Sequence, residues 1–203
     1  MPIIDDISRG LAARSPRLIP HAGITRTAVA LILKPGKQGP DLLFILRASH
    51  DADPWSGNIA FPGGRMEAAD RSLRITAERE TMEELGLNLR SATLLGRLDD
   101  TMGAHLPVLV SCFVYVVSDS PSLTPNHEVA RYFWFPLADL FAPHRHREVK
   151  LFFGGKLHLC PAIDLLTPEE PVLWGITYRI VMQLLTILEQ PTMHYAARSD
   201  ESL

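Results

Sequence analysis

Residues 61–87, FPGGRMEAADRSLRITAERETMEELGL, constrain this chain more than any other stretch. An apolar run, Ile59-Ala60-Phe61, passes through Pro62 into Gly63-Gly64, and a helical pattern then ends on Glu80, Glu83 and Glu84. Positions i, i+3 and i+4 of an α-helix share a face, so three carboxylates are expected on one small patch. Like charges so spaced cost about 0.2–0.5 kcal/mol per pair. A solvated acidic face is one reading. The other is a site for a hard divalent cation, since oxygen-only ligands suit Mg²⁺ or Mn²⁺. The double glycine favours the second, because bare backbone lets a ligand come close. Asp70 or Ser72 is placed to cap the helix, and Gly86 stands where a left-handed residue ends one. Leu73, Ala77, Thr81 and Leu85 form an i+4 row that can bury against a sheet. The unit is therefore strand, glycine loop, acid-faced helix and glycine stop.

The rest of the chain supplies a core for that unit. With 203 residues, 46% hydrophobic and 21% charged, it suits one globular domain. A net charge of −3 argues against a nucleic-acid partner. Cys112 and Cys160 lie in apolar runs without ligand-like spacing and are expected as buried free thiols, which fits the cytoplasm. The N-terminus carries no apolar segment of signal type, and no run reaches the roughly 18 residues that span a membrane. Residues 1–24 are expected as a packing arm with a short helix at 4–13. Strands are expected at 25–33 and 41–47, joined by a turn at Pro35-Gly36. Further strands are expected at 92–98, 107–117 and 128–135, with polar loops at 99–106 and 118–127. A short helix at 137–141, a basic loop at 143–147 and a hairpin about Gly154-Gly155 follow. His144 and His146, between arginines, read as solvated residues. Residues 174–189 read as an amphipathic closing helix with Ile176, Ile180, Leu184 and Leu188 on one face. Residues 191–203 are expected as a disordered tail.

Gly64, Asp70, Arg79, Glu80, Glu83, Glu84, Gly86 and Leu87 together resemble the signature of the Nudix hydrolase superfamily. That signature is a glycine, an acidic residue six positions on, then R-E-x-x-E-E-x-G and an aliphatic residue. The chain departs from it in three ways. Asp70 replaces the usual glutamate, Thr81 stands at a usually aliphatic position, and Gly64 to Arg79 is one residue longer than the commonest spacing. The longer gap with aspartate is similar to the coenzyme A pyrophosphatase branch. So is the frame Gly57-Asn58-Ile59-Ala60-Phe61-Pro62-Gly63-Gly64, and so are Pro161, Ile163, Asp164, Trp174, Gly175 and Thr177. The resemblance covers residues 25–188. It implies an α/β (α+β) fold, an α/β/α sandwich with a mixed β-sheet between helices, as one domain over residues 25–190.

The resemblance also implies a chemistry. Water must reach phosphorus against negative oxygens, and a divalent ion neutralises them. Glu80 and Glu84, one turn apart, are the first candidates for metal ligands, joined by Glu83 and the main-chain carbonyl of Gly63. Arg79 is expected to orient a glutamate. In the superfamily the base that takes the proton from water lies either on the signature helix or on a later loop. Glu128, after Pro125-Asn126-His127, matches the later-loop glutamate, and Glu83 and Arg79 are the other catalytic candidates. Glu67 and Asp70 are assigned to the loop and the helix cap. Trp55, Arg47 and Gly64 are the candidates for contacting substrate, although residues 48–58 lack the arginines usual in the branch. The function implied is cleavage of a nucleoside diphosphate derivative, coenzyme A or acyl-coenzyme A first, to 3′,5′-ADP and 4′-phosphopantetheine. ADP-ribose, dinucleotides and nucleoside triphosphates are the alternatives, and a non-catalytic nucleotide sensor is another class. The expected partners are that small molecule and a second copy of the chain, with neither nucleic acid nor membrane.

Overall fold

The structure is a computed structural model that describes residues 2–20, 23–49, 56–104, 107–118 and 121–189. Helix α1 (Pro2–Ala12) leads into the hairpin β1 (Thr25–Gly36) and β2 (Gly39–Arg47). Two short strands, β3 (Ile59–Ala60) and β4 (Gly63–Arg65), flank Pro62 and precede α2 (Leu73–Leu85). Then come β5 (Thr93–Arg97), β6 (Thr101–Met102), β7 (Val108–Val116) and β8 (Val129–Pro136). After 3-10 turns at Leu137–Phe141 and Pro143–Arg145, the chain forms β9 (His146–Phe153), β10 (Lys156–Ile163), β11 (Leu173–Trp174) and α3 (Gly175–Glu189).

The main sheet has the order β3-β2-β1-β7-β5, with β4 paired to β1, β6 to β7 and β8 to β2. β1 and β7 run parallel, while the other pairings are antiparallel. A strand covered on both faces reads as a continuous apolar run, and Ala30–Leu33 of β1 are accordingly all buried. Alternation divides their side chains between two layers. Ala28, Ala30 and Ile32 point to a cluster shared with α2, through Leu73, Ala77 and Leu85. Leu31 and Leu33 point to the opposite cluster with Ile7 and Leu11 of α1 and Ile180, Val181, Leu184 and Leu185 of α3. Each such aliphatic side chain contributes about 1.5–3 kcal/mol on burial. The α/β/α sandwich with a mixed sheet is thus the observed fold. α1 lies on α3 closely enough that a Cβ at Gly10 would meet the Ile187 side chain.

Several local expectations are corrected. The β1–β2 hairpin turns at Lys37-Gln38, and Pro35 and Gly36 are paired strand residues opposite Pro40 and Gly39. The polar segment 99–106 contains β6. The basic loop at 143–147 is a 3-10 turn followed directly by strand, and β9–β10 form a longer hairpin than the sequence suggests. That hairpin and β11 make a separate three-stranded sheet. His146 is tied by Nε2 to the Leu140 carbonyl at 2.7 Å, so it is a structural residue. The buried face of α3 is centred on Ile180, Val181, Leu184 and Leu185, with Ile176 and Leu188 at its margin. Both cysteines are free; Cys112 is buried, but Cys160 is half-buried. The tail at 191–203 lies outside the described residues. No helix among the described residues is long and apolar enough to cross a membrane.

Candidate active site

The acid-bearing helix is fixed at both ends by its own sequence. Ser72 caps α2, its Oγ accepting from the Ile75 amide at 3.3 Å, so the cap falls to Ser72 and not to Asp70. Gly86 ends the helix at φ 66°, donating its amide to the Met82 carbonyl. The row Leu73, Ala77, Thr81 and Leu85 is buried as the periodicity predicts. With that face against β1, the acidic face turns toward β4 and the glycine loop.

Glu84 is the deepest acid there, its side chain only 2% exposed. Its Oε2 accepts the Gly63 amide at 2.9 Å, and Arg47 Nη1 stands 3.7 Å from Oε1. Burial pushes its carboxyl up to about 8; Glu80 and Glu128 push the same way, while the Gly63 amide and Arg47 oppose them. Glu80 is also raised, first by burial and then by the charges of Glu83 and Glu128, against Arg79. The double glycine has a visible reason. Gly63 lies at φ 150°, where a Cβ would strike the Ala28 carbonyl, and a Cβ at Gly64 would stand on the Glu80 carboxylate.

Arg79 organises the other side of the face. Its Nε and Nη2 donate to the two oxygens of Asp70 at 3.1 and 3.0 Å, and Nη2 also donates to the Arg65 carbonyl at 2.9 Å. Nη1 lies 3.0 Å from both Glu80 Oε1 and Glu83 Oε2. The bond from Arg79 is the main cause that holds the Asp70 carboxyl down to about 2, helped by the Glu67 amide and the Thr76 hydroxyl. Asp70 is thus the buried anchor of Arg79, a larger role than loop or cap. Glu83 is 55% exposed, so its pair with Arg79 is worth about 0–1 kcal/mol.

Glu128 reaches the same site by a different route. The last carbonyls of a helix lack partners within it. Here the Thr124 amide bonds the Leu85 carbonyl at 2.8 Å, and the Asn126 amide bonds the Glu84 carbonyl at 2.9 Å. Asn126 Oδ1 then accepts the Glu128 amide at 2.8 Å, and the Glu128 carbonyl accepts from Ala48 at 2.8 Å. These bonds bring Glu128 close enough for its charge to lift both Glu80 and Glu84. The segment before the glycines is tied in as well. Asn58 accepts the Trp174 indole N–H at 3.0 Å, and its carbonyl accepts the Arg47 amide.

The structure therefore brings together Arg47, Gly63, Gly64, Arg79, Glu80, Glu83, Glu84 and Glu128. Trp55 lies outside the described residues. Arg47, expected toward substrate, stands beside Glu84. Sequence reading missed Asn126 as the tie to Glu128, and missed the Asn58–Trp174 contact. Two segments quoted for the family likeness hold these last two residues, which was the available signal. The donor set is all oxygen and crowded with like charge around a glycine cradle, which fits a hard divalent cation. Among the described residues no three acidic, histidine or cysteine side chains converge as a ready metal cluster; Glu80 and Glu83 are each 3.0 Å from Arg79 Nη1.

The family profile of the NUDIX domain matches residues 24–152. The mitochondrial coenzyme A diphosphatase NUDT8 of Homo sapiens is 33% identical over 189 residues, covering 91% of this chain and 77% of that protein. An uncharacterised protein of Schizosaccharomyces pombe is 34% identical over 173 residues, 72% of this chain; the match spans only 53% of the yeast protein. Among solved structures, a MutT/nudix family protein from Enterococcus faecalis superposes with a TM-score of 0.55 at 15% identity, covering 92% of this chain and 74% of the other. The NUDIX domain of Shewanella oneidensis NrtR, complexed with ADP ribose, gives a TM-score of 0.52 at 18% identity, covering 87% and 92%. These two structures speak for the fold alone. With the profile spanning more than half the chain, and the glycine loop and glutamate helix in place, the chain belongs to the Nudix hydrolase family.

Proposed function

We propose that this chain is a Mg²⁺- or Mn²⁺-dependent pyrophosphohydrolase that cuts the diphosphate of coenzyme A or an acyl-coenzyme A, giving 3′,5′-ADP and 4′-phosphopantetheine. The observation that carries the hydrolase reading is Glu84, buried on the Gly63 amide with Glu80 and Glu128 beside it. The substrate rests on the likeness to the human coenzyme A diphosphatase and on the longer glycine-to-arginine gap.

Nudix hydrolases generally need divalent metal ions. Glu80, Glu84, Glu83 and the Gly63 carbonyl are the residues that would hold the ion here. When bound, it supplies charge neutralisation at phosphorus and a more acidic water. The chain's own residues do the remainder. The Gly63 amide orients the Glu84 carboxylate, and Arg79 keeps Glu80 and Glu83 aimed by charge-assisted hydrogen bonds. The bare α-carbon of Gly64 leaves room for the Glu80 carboxylate to lie against the loop, where Gly64 is proposed to contact substrate. Glu128 takes the proton as water attacks, from a main-chain position set by Asn126. Arg47, beside Glu84, and Trp55, stacking on a base or on the pantetheine arm, contact the substrate. A homodimer of a domain spanning residues 25–190, in the cytoplasm, completes the proposal.

The test is a panel of coenzyme A, ADP-ribose, dinucleotides and nucleoside triphosphates assayed with Mg²⁺, Mn²⁺ or EDTA, with products identified by mass. Coenzyme A should give 3′,5′-ADP in either metal and nothing in EDTA. Faster cleavage of ADP-ribose would overturn the substrate, and turnover in EDTA would overturn the metal site.

A further inference from the structure

The β9–β10 hairpin differs from the rest of the surface in two ways. It carries three of the six large apolar side chains exposed among the described residues, Phe152, Leu157 and Leu159, at 73%, 62% and 59%. Alternation and register put them on one face, with Phe152 opposite Leu157 and Lys150 opposite Leu159. Scattered single apolar residues are ordinary on a surface, but a contiguous group marks contact with something. The second feature is that β9 ends its sheet. Its outer edge, eight residues long, has no ladder partner among the described residues, and such an edge is a template for another strand.

The charges on β9 say which strand. Glu148 and Lys150 are exposed, on the same face as Phe152, and neither has an ion-pair partner among the described residues. Two copies meeting edge to edge about a two-fold axis pair residue i with residue j at a constant sum, and both share a face only when that sum is even. Centring the axis on Glu148 opposes Glu148 to itself, and centring it on Lys150 opposes Lys150 to itself. Like charges directly opposite repel. Centred on Val149, the pairing sets Glu148 opposite the partner's Lys150 and Lys150 opposite the partner's Glu148. It also carries each exposed Phe152 opposite the partner's His146, at the base of the other hairpin. One register therefore satisfies the edge and both charges, and moves the ring from water toward the other copy.

We propose that β9 is the homodimer interface of this protein, an antiparallel pairing of β9 with its symmetry mate centred on Val149, joining the two three-stranded sheets into one of six. This gives the expected homodimer its surface, and it does not depend on which substrate the site takes. The test is charge reversal read by sedimentation or light scattering. The wild-type chain should run at twice 22.6 kDa. Glu148→Lys and Lys150→Glu should each run as monomers, since each opposes like charges across the axis. Mixed together, the two variants should form a heterodimer, because every facing pair is again of opposite sign. The double variant E148K/K150E should be a homodimer. A monomeric wild type, or single variants that dimerise as well as wild type, would overturn the proposal; both positions are exposed, so the reversals leave the fold intact.

Discussion

The glycine loop and α2, compared with the β9–β10 hairpin, show two uses of charge in one chain. Along α2 the charged groups of the site are paired or hydrogen-bonded. Asp70 holds Arg79, Arg79 holds Glu80 and Glu83, and Gly63 holds Glu84, while Asn126 fixes the main chain of Glu128. On the hairpin, Glu148 and Lys150 stand exposed beside apolar side chains in water. A network of the first kind fixes geometry, because each buried polar group lost leaves another unsatisfied. A surface of the second kind contributes little to the fold. Mutation should therefore divide the two regions sharply.

The largest effect is expected from Glu84→Gln. Glutamine keeps an oxygen for the Gly63 amide, so the fold should survive with an unchanged melting temperature, while turnover falls by about 100-fold or more. Near-normal kcat would remove Glu84 from the ligand set. Next comes Asp70→Asn, which weakens the anchor of Arg79. Asp70 is held at about 2, below its ordinary value near 3.8, so its charge stabilises the fold above pH 4 and that contribution is lost as pH falls toward 2. The variant should be about 2 kcal/mol less stable at pH 7, and its denaturation curve should approach that of the wild type between about pH 4 and 2. A gap that stays constant with pH would break the ion-pair assignment. Asn126→Ala should cost about 1 kcal/mol, read as a several-fold drop in kcat at unchanged KM. Asn126→Asp should restore the rate, since its oxygen also accepts the Glu128 amide; failure of that rescue would leave Asn126 as packing only. The smallest effect belongs to Leu159→Ser on the hairpin, expected within about 0.5 kcal/mol of wild type by chemical denaturation.

What was legible in the sequence follows the same division by distance along the chain. The buried row Leu73–Ala77–Thr81–Leu85 and the clustered glutamates were readable, because a helix maps sequence spacing onto faces. The central strands were readable from β-branched runs buried on both sides. The bond from Arg79 to Asp70 was not, since nine positions match no helical repeat and depend on how the loop folds back. Asn126 sits over 40 residues beyond the helix whose end it closes, and Trp174 meets Asn58 across 116 positions. Such contacts are made by the assembled sheet. The Pro35-Gly36 turn failed for a local reason: two flanking strands long enough to keep pairing carried the reversal past it to Lys37-Gln38.

The amides of Thr124 and Asn126 that close the carboxyl end of α2 have a consequence for motion. They make the helix terminus and the Glu128 segment a single latch. Withdrawing Asn126 from the helix end would expose the Glu84 carbonyl and release the Glu128 amide together, so breathing of that segment loosens the turn bearing Glu84. In hydrogen exchange the amides of Thr124, Asn126 and Glu128 should open together, at one shared rate.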